Sequence, residues 1–156
     1  AMALALSYLE NFFPLSLAVP VPGLKLGLAN IVVVTALYTF GPTAAVCISL
    51  VRIFLNAFLF GSVTGMLYSL AGAVLSFVMM WLFYRNRHFS TVGVSMLGGI
   101  FHNIGQLLVA FAFFGVAGIL YYAPLLLISG AVTGFLIGTL CRLLLPRLRK
   151  MWRMSV

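Results

Sequence analysis

Ser49-Leu-Val-Arg52-Ile-Phe-Leu-Asn56 lies in the middle of an apolar run from Thr43 to Phe60. Arg52 and Asn56 are four residues apart, so on a helix they share one face, and Ser49 lies on it too. An arginine at membrane depth costs roughly 2.5–3.5 kcal/mol on insertion scales. The fold therefore has to supply compensation. The chain offers one acid, Glu10, and one further polar cluster within apolar sequence, His102-Asn103-Ile-Gly-Gln106. This points to a helix bundle that gathers these groups around a buried site.

Composition fixes the class. Hydrophobic residues make up 64% of the 156, charged residues 6%, and mean hydropathy is +1.23. A soluble domain carries about 25% charged residues. Several runs approach the roughly 20 apolar residues that cross a bilayer. They are continuous rather than alternating, and carry Gly and Ala at helical spacing, which favours helices over a barrel. The expectation is an all-α membrane protein, a six-helix bundle forming one transmembrane domain over 1–156.

The net charge of +8 is placed as a membrane protein places it, which argues against nucleic acid as a partner. Arg142, Arg147, Arg149, Lys150 and Arg153 cluster near the C-terminus, and Arg85 and Arg87 share one short loop. Under the positive-inside rule both regions are cytoplasmic. Cys47 and Cys141 sit in apolar runs without metal-type spacing and read as small buried hydrophobes.

Punctuation by Gly and Pro predicts helices over about 1–13, 26–40, 43–60, 66–84, 91–116 and 124–145, with a basic tail over 146–156. The first is too short to cross about 30 Å. The chain opens without an initiator Met, so residues before Ala1 are expected. Between helices 1 and 2, Pro14, Pro20, Pro22 and Gly23 mark a loop that is nonetheless apolar, as expected of a lid folded over the bundle. Six helices put both termini in the cytoplasm, and the lid, the 61–65 turn and the 117–123 turn outside. Gly130-x-x-x-Gly134-x-x-x-Gly138 is a stripe for close helix approach, within the bundle or against a partner.

On this topology Arg52, Asn56, His102, Asn103, Gln106, Asn30, Tyr68 and Glu10 share the outer half of the bundle, with Lys25 on the lid. Two accounts fit. In one, Arg52 pairs with Glu10 and the amides glue helices together. In the other, cations that outnumber the single acid await an anionic ligand. Lys25 is itself either part of that site or a snorkelling helix-end lysine. Catalytic equipment is scarce. There is no carboxylate pair, no acidic cluster for Mg²⁺ and no GK[ST] phosphate loop, so no metal, cofactor or catalytic residue is expected.

Four segments carry a family resemblance: Pro22-Gly-Leu-Lys-Leu-Gly-Leu-Ala-Asn-Ile31, Arg52-Ile-Phe-Leu-Asn-Ala-Phe-Leu-Phe-Gly61, Leu67-Tyr-Ser-Leu-Ala-Gly72 and Phe101-His-Asn-Ile-Gly-Gln106. They resemble the Gx transporter family, often labelled heptaprenyl diphosphate synthase component I. That family is similar to the substrate-binding S components of energy-coupling-factor (ECF) importers. The resemblance implies six helices, an outer ligand pocket, a capping loop after helix 1 and no catalysis by this chain. It also implies partners: a transmembrane coupling subunit, docked through the small residues Ala1 and Ala5 of helix 1, and ATPase subunits. The synthase label keeps a second reading open, a membrane component of prenyl diphosphate or quinone-precursor metabolism. A third is a small scaffold without transport.

Overall fold

The computed structural model describes residues 2–12, 29–60, 63–86 and 88–154. It contains six α-helices: α1 Met2–Phe12, α2 Asn30–Thr39, α3 Pro42–Phe60, α4 Val63–Tyr84, α5 Thr91–Phe114 and α6 Val116–Met154. No strand occurs among the described residues. α3, α4, α5 and most of α6 are long and apolar enough to cross a membrane. The expected lid over 14–27, with Lys25, lies outside the described residues.

The helices follow one another around a ring. α2 packs on α3, α3 on α4, α4 on α5, α5 on α6, and α6 returns to α2, while α1 lies against α2 and α3. Apolar residues surround each helix, and the inward face is marked by the few polar residues, Ser49, Arg52, His102, Asn103 and Gln106 among them, together with small ones. On α4, Gly65, Ser69, Gly72, Ala73 and Ser76 are buried at helical spacing. On α5, Gly98 and Gly105 meet α4, and Gly99 meets α6.

The α6 glycine stripe is spent inside the bundle. A Cβ on Gly130 would lie 2.6 Å from the Gly99 carbonyl oxygen. One on Gly134 would meet the Ser95 carbonyl oxygen at 2.6 Å, and one on Gly138 the Cα of Val92 at the same distance. Three successive turns of α6 thus touch α5 backbone, where packing replaces the hydrophobic drive that lipid cannot supply.

Two glycines make the tight turns. Gly41, at φ 92°, links α2 to α3, and Gly115, at φ 76°, links α5 to α6. Both occupy backbone space that L side chains avoid. Ser90 caps α5 by accepting from the Gly93 N–H at 3.1 Å. The inner core joins Val33, Val34, Ala36 and Leu37 of α2 to Ala45, Met80, Val94, Ile137 and Cys141.

Several expected boundaries are corrected. The 117–123 turn is helix: α6 starts at Val116, runs through Pro124 and Pro146, and includes the expected tail up to Met154. A proline inside a helix forfeits one hydrogen bond, whereas a full break in apolar surroundings strands several backbone groups. Gly115, not Gly118, makes the turn, and α5 ends at Phe114. α4 begins at Val63 rather than Met66. α2 is a 10-residue helix starting at Asn30, not at residue 26.

Candidate functional site

Two contacts between antiparallel helices set the depth of the polar groups. Ser49 of α3 and Ala73 of α4 border one pocket. The neighbouring Gly72 receives the His102 ring, whose Cε1 and Nδ1 stand 2.8 Å from where a Cβ would be. One turn further toward the α3–α4 link on each helix come Arg52, Ser69 and Gln106. These three therefore form one layer of the bundle, and all are buried, Arg52 at 6% exposure and Gln106 at 0%.

Arg52 is held from α1. Its Nη1 donates to Ser7 Oγ at 3.1 Å. Ser7 was not among the residues singled out from the sequence. The available signal was its spacing of three from Glu10, which puts the two on one face of α1. The Glu10 side chain lies outside the described residues. Arg52 also borders a pocket of about 240 Å³ between α1 and α3, with Ala3, Leu4, Cys47 and Val51 among its walls.

On α5, His102 and Gln106 sit one turn apart, with Nε2 of each 3.1 Å from the other. The Gln106 amide donates to an imidazole whose Nε2 is unprotonated, or the rotated amide accepts from a protonated one. Asn103 turns toward α6. Its Nδ2 donates to the Leu126 carbonyl oxygen and lies 3.4 Å from Ser129 Oγ. Ser129 donates to the same carbonyl at 2.8 Å. Gly130 leaves room for this amide, since a Cβ there would come 2.8 Å from Nδ2.

The remaining predicted residues fall in four groups. Tyr68 is buried beside Ala110 and Leu126, with Leu107, Val109 and Tyr122 around them. Asn30 is buried at the start of α2, and Asn56 is half-buried on α3. Lys25, Ala1 and the Glu10 side chain lie outside the described residues. Ala5 faces outward with Met2 and Leu9, while Ala3 and Ser7 face inward.

Three buried oxygens in this region have no hydrogen-bond partner among the described residues: Asn56 Oδ1, Tyr68 Oη and Asn103 Oδ1. Buried polar groups without partners are rare in folded proteins, because each costs about 1–3 kcal/mol. Among the described residues, no three His, Cys, Asp or Glu side chains come together as metal ligands. A groove of about 590 Å³ lies elsewhere. It opens outward between α4 and α5 and is walled by apolar residues such as Leu67, Leu70, Leu108 and Phe113.

The family model for heptaprenyl diphosphate synthase component I matches residues 1–144. No curated protein and no solved structure matches the chain.

Proposed function

The chain belongs to the heptaprenyl diphosphate synthase component I family, and within it we propose a substrate-binding subunit of the S-component kind, serving an ECF-type importer. Its ligand is small, anionic and partly apolar, bound in the outer half of the bundle. The observation that carries this reading is the buried Arg52 guanidinium in one layer with Ser69 and Gln106. Ionisable groups at membrane depth mark ligand or ion pathways. The chain holds nine Lys and Arg against one acid, so an anion complements the site better than a cation does.

On this reading each residue takes a role. Arg52 gives a planar fork of donors to a carboxylate or phosphate. Asn56, His102, Asn103 and Gln106 surround the body of the ligand, Asn30 and Tyr68 border it, and Lys25 closes over it. The same binding subunit docks through the outward face of α1, where Ala5 lets a partner helix approach closely. With one carboxylate in the whole chain, no acid–base or two-metal chemistry is proposed for it alone.

Thermal unfolding in detergent tests the reading. Alkyl phosphates or carboxylates raise Tm of the wild-type protein and leave Arg52→Ala where it was. A shift of equal size in both would remove the site from Arg52. The family description favours a second reading, in which the membrane subunit holds a prenyl diphosphate. Its diphosphate would use the same arginine.

A further inference from the structure

Asn103 is oriented by its neighbour. Its amide faces the Leu126 carbonyl oxygen. A carbonyl cannot donate, so the amide must present its nitrogen, and the reversed amide would set two oxygens against each other. Oδ1 is therefore fixed as the end that points away from that carbonyl. The side chain is 2% exposed, and Oδ1 has no hydrogen-bond partner among the described residues. An amide held this way is an acceptor awaiting a donor.

Tyr68 supplies an independent second group. It is also 2% exposed, its hydroxyl has no partner among the described residues, and its ring packs beside the same Leu126. Asn103 and Tyr68 come from α5 and α4, and both meet Leu126 of α6. Arg52, on α3, offers donors only. Arg52 thus offers donors from α3, and the two orphan oxygens, either able to accept, lie where α4, α5 and α6 meet.

We propose that the ligand carries a hydrogen-bond donor, a hydroxyl or an amine, in addition to its anionic group, and that Asn103 Oδ1 and Tyr68 Oη receive it. This rests on the anion-binding reading above and narrows it. The substrate class becomes hydroxylated or aminated anions with an apolar spacer. A simple alkyl or prenyl diphosphate presents acceptors almost exclusively, so it fills the Arg52 end and leaves Asn103 Oδ1 buried without a donor. Sites built to hydrogen-bond a hydroxyl reject the analogue that lacks it far more strongly than apolar pockets reject an extra one.

The test uses matched pairs. Purified protein in detergent is titrated with ω-hydroxyalkyl phosphates of increasing chain length, each against its parent alkyl phosphate, with affinity read from the shift in Tm. At the chain length that spans the site, the hydroxylated compound is expected to bind at least about tenfold tighter. Tyr68→Phe and Asn103→Leu should each reduce that preference. Tyr68→Phe removes one oxygen and no carbon, so it keeps the packing if the Asn103 variant fails to fold. Equal affinities within every pair would overturn the inference and leave the anion site standing. A preference unchanged in Tyr68→Phe and in any folded Asn103→Leu would overturn it too. No response to either series would remove the anion site, and this inference with it.

Discussion

Arg52 of α3 and Ser7 of α1 are joined by a hydrogen bond of 3.1 Å from Nη1 to Oγ, and both residues are buried. This contact ties α1 to the middle of the long α3. Hydrogen bonds to charged groups contribute about 1.5–3 kcal/mol. Ser7→Ala is therefore expected to lower Tm in detergent by a corresponding amount while helical content, read by circular dichroism, stays the same. An unchanged Tm would mean that the bond adds no stability.

The α5–α6 contact leaves no space at Gly130, because the Gly99 carbonyl oxygen occupies the place of a Cβ. Backbone cannot swing aside as a flexible side chain can. Gly130→Ala is expected to destabilise by about 1–3 kcal/mol or more, the range for overpacking a tight contact. Gly93→Ala is the control, since its nearest neighbour, Ser90 Oγ at 3.6 Å, is at ordinary van der Waals distance. Comparable thermal stability in the two variants would contradict the packing described.

Orientation is open to labelling. The basic residues Arg85, Arg142, Arg147 and Lys150 are exposed near the end of the bundle where α4 finishes, and under the positive-inside rule that end is cytoplasmic. With Cys47 and Cys141 replaced, a membrane-impermeant thiol reagent should reach a cysteine at Val63 from outside and miss one at Asn86. Val63 is 72% exposed at the opposite end of α4. The reverse pattern would invert the topology.

How much of this was legible beforehand varied with the physics involved. Six helices could be read because continuous apolar runs leave the backbone no other economical way to pair its polar groups. The burial of Arg52, His102, Asn103 and Gln106 could be read because they stand out against apolar neighbours. The course of α6 could not. Pro124 and Pro146 look like stops, and only the packed bundle shows that losing one hydrogen bond at each is the smaller penalty. The glycine stripe announced close approach without naming its partner, since 130, 134 and 138 fit α5 and a foreign helix equally well. Ser7 carried little signal, because one serine in a short apolar helix looks like any other. The direction of Asn103 was invisible, because it depends on the Leu126 carbonyl, which no sequence spacing reveals.

Docking through α1 makes its own prediction. Ala5 lies on the outward face of α1, and a leucine there would hold a partner helix away. Ala5→Leu should reduce co-purification with the proposed coupling subunit and leave the unfolding free energy of the isolated protein within about 0.5 kcal/mol of wild type, as for exposed sites generally. If the complex survives Ala5→Leu combined with Ala1→Leu, the interface lies elsewhere. The α6 glycine stripe is then a poor substitute, because α5 already covers it.

The central claim is that Arg52 anchors an anion, and native mass spectrometry of the purified protein tests it most directly. The account predicts that wild type carries a bound small molecule that Arg52→Ala loses and Glu10→Gln retains. Arg52→Lys should also lose most of it, because lysine keeps the charge but not the bidentate fork. Breaking a buried charge-assisted pair costs about 2–5 kcal/mol. The competing account, a structural Arg52–Glu10 bridge, predicts no such dependence on Arg52. An adduct present at equal occupancy in wild type and Arg52→Ala, or equal losses of stability in Arg52→Ala and Glu10→Gln with no adduct in wild type, would contradict the anchor.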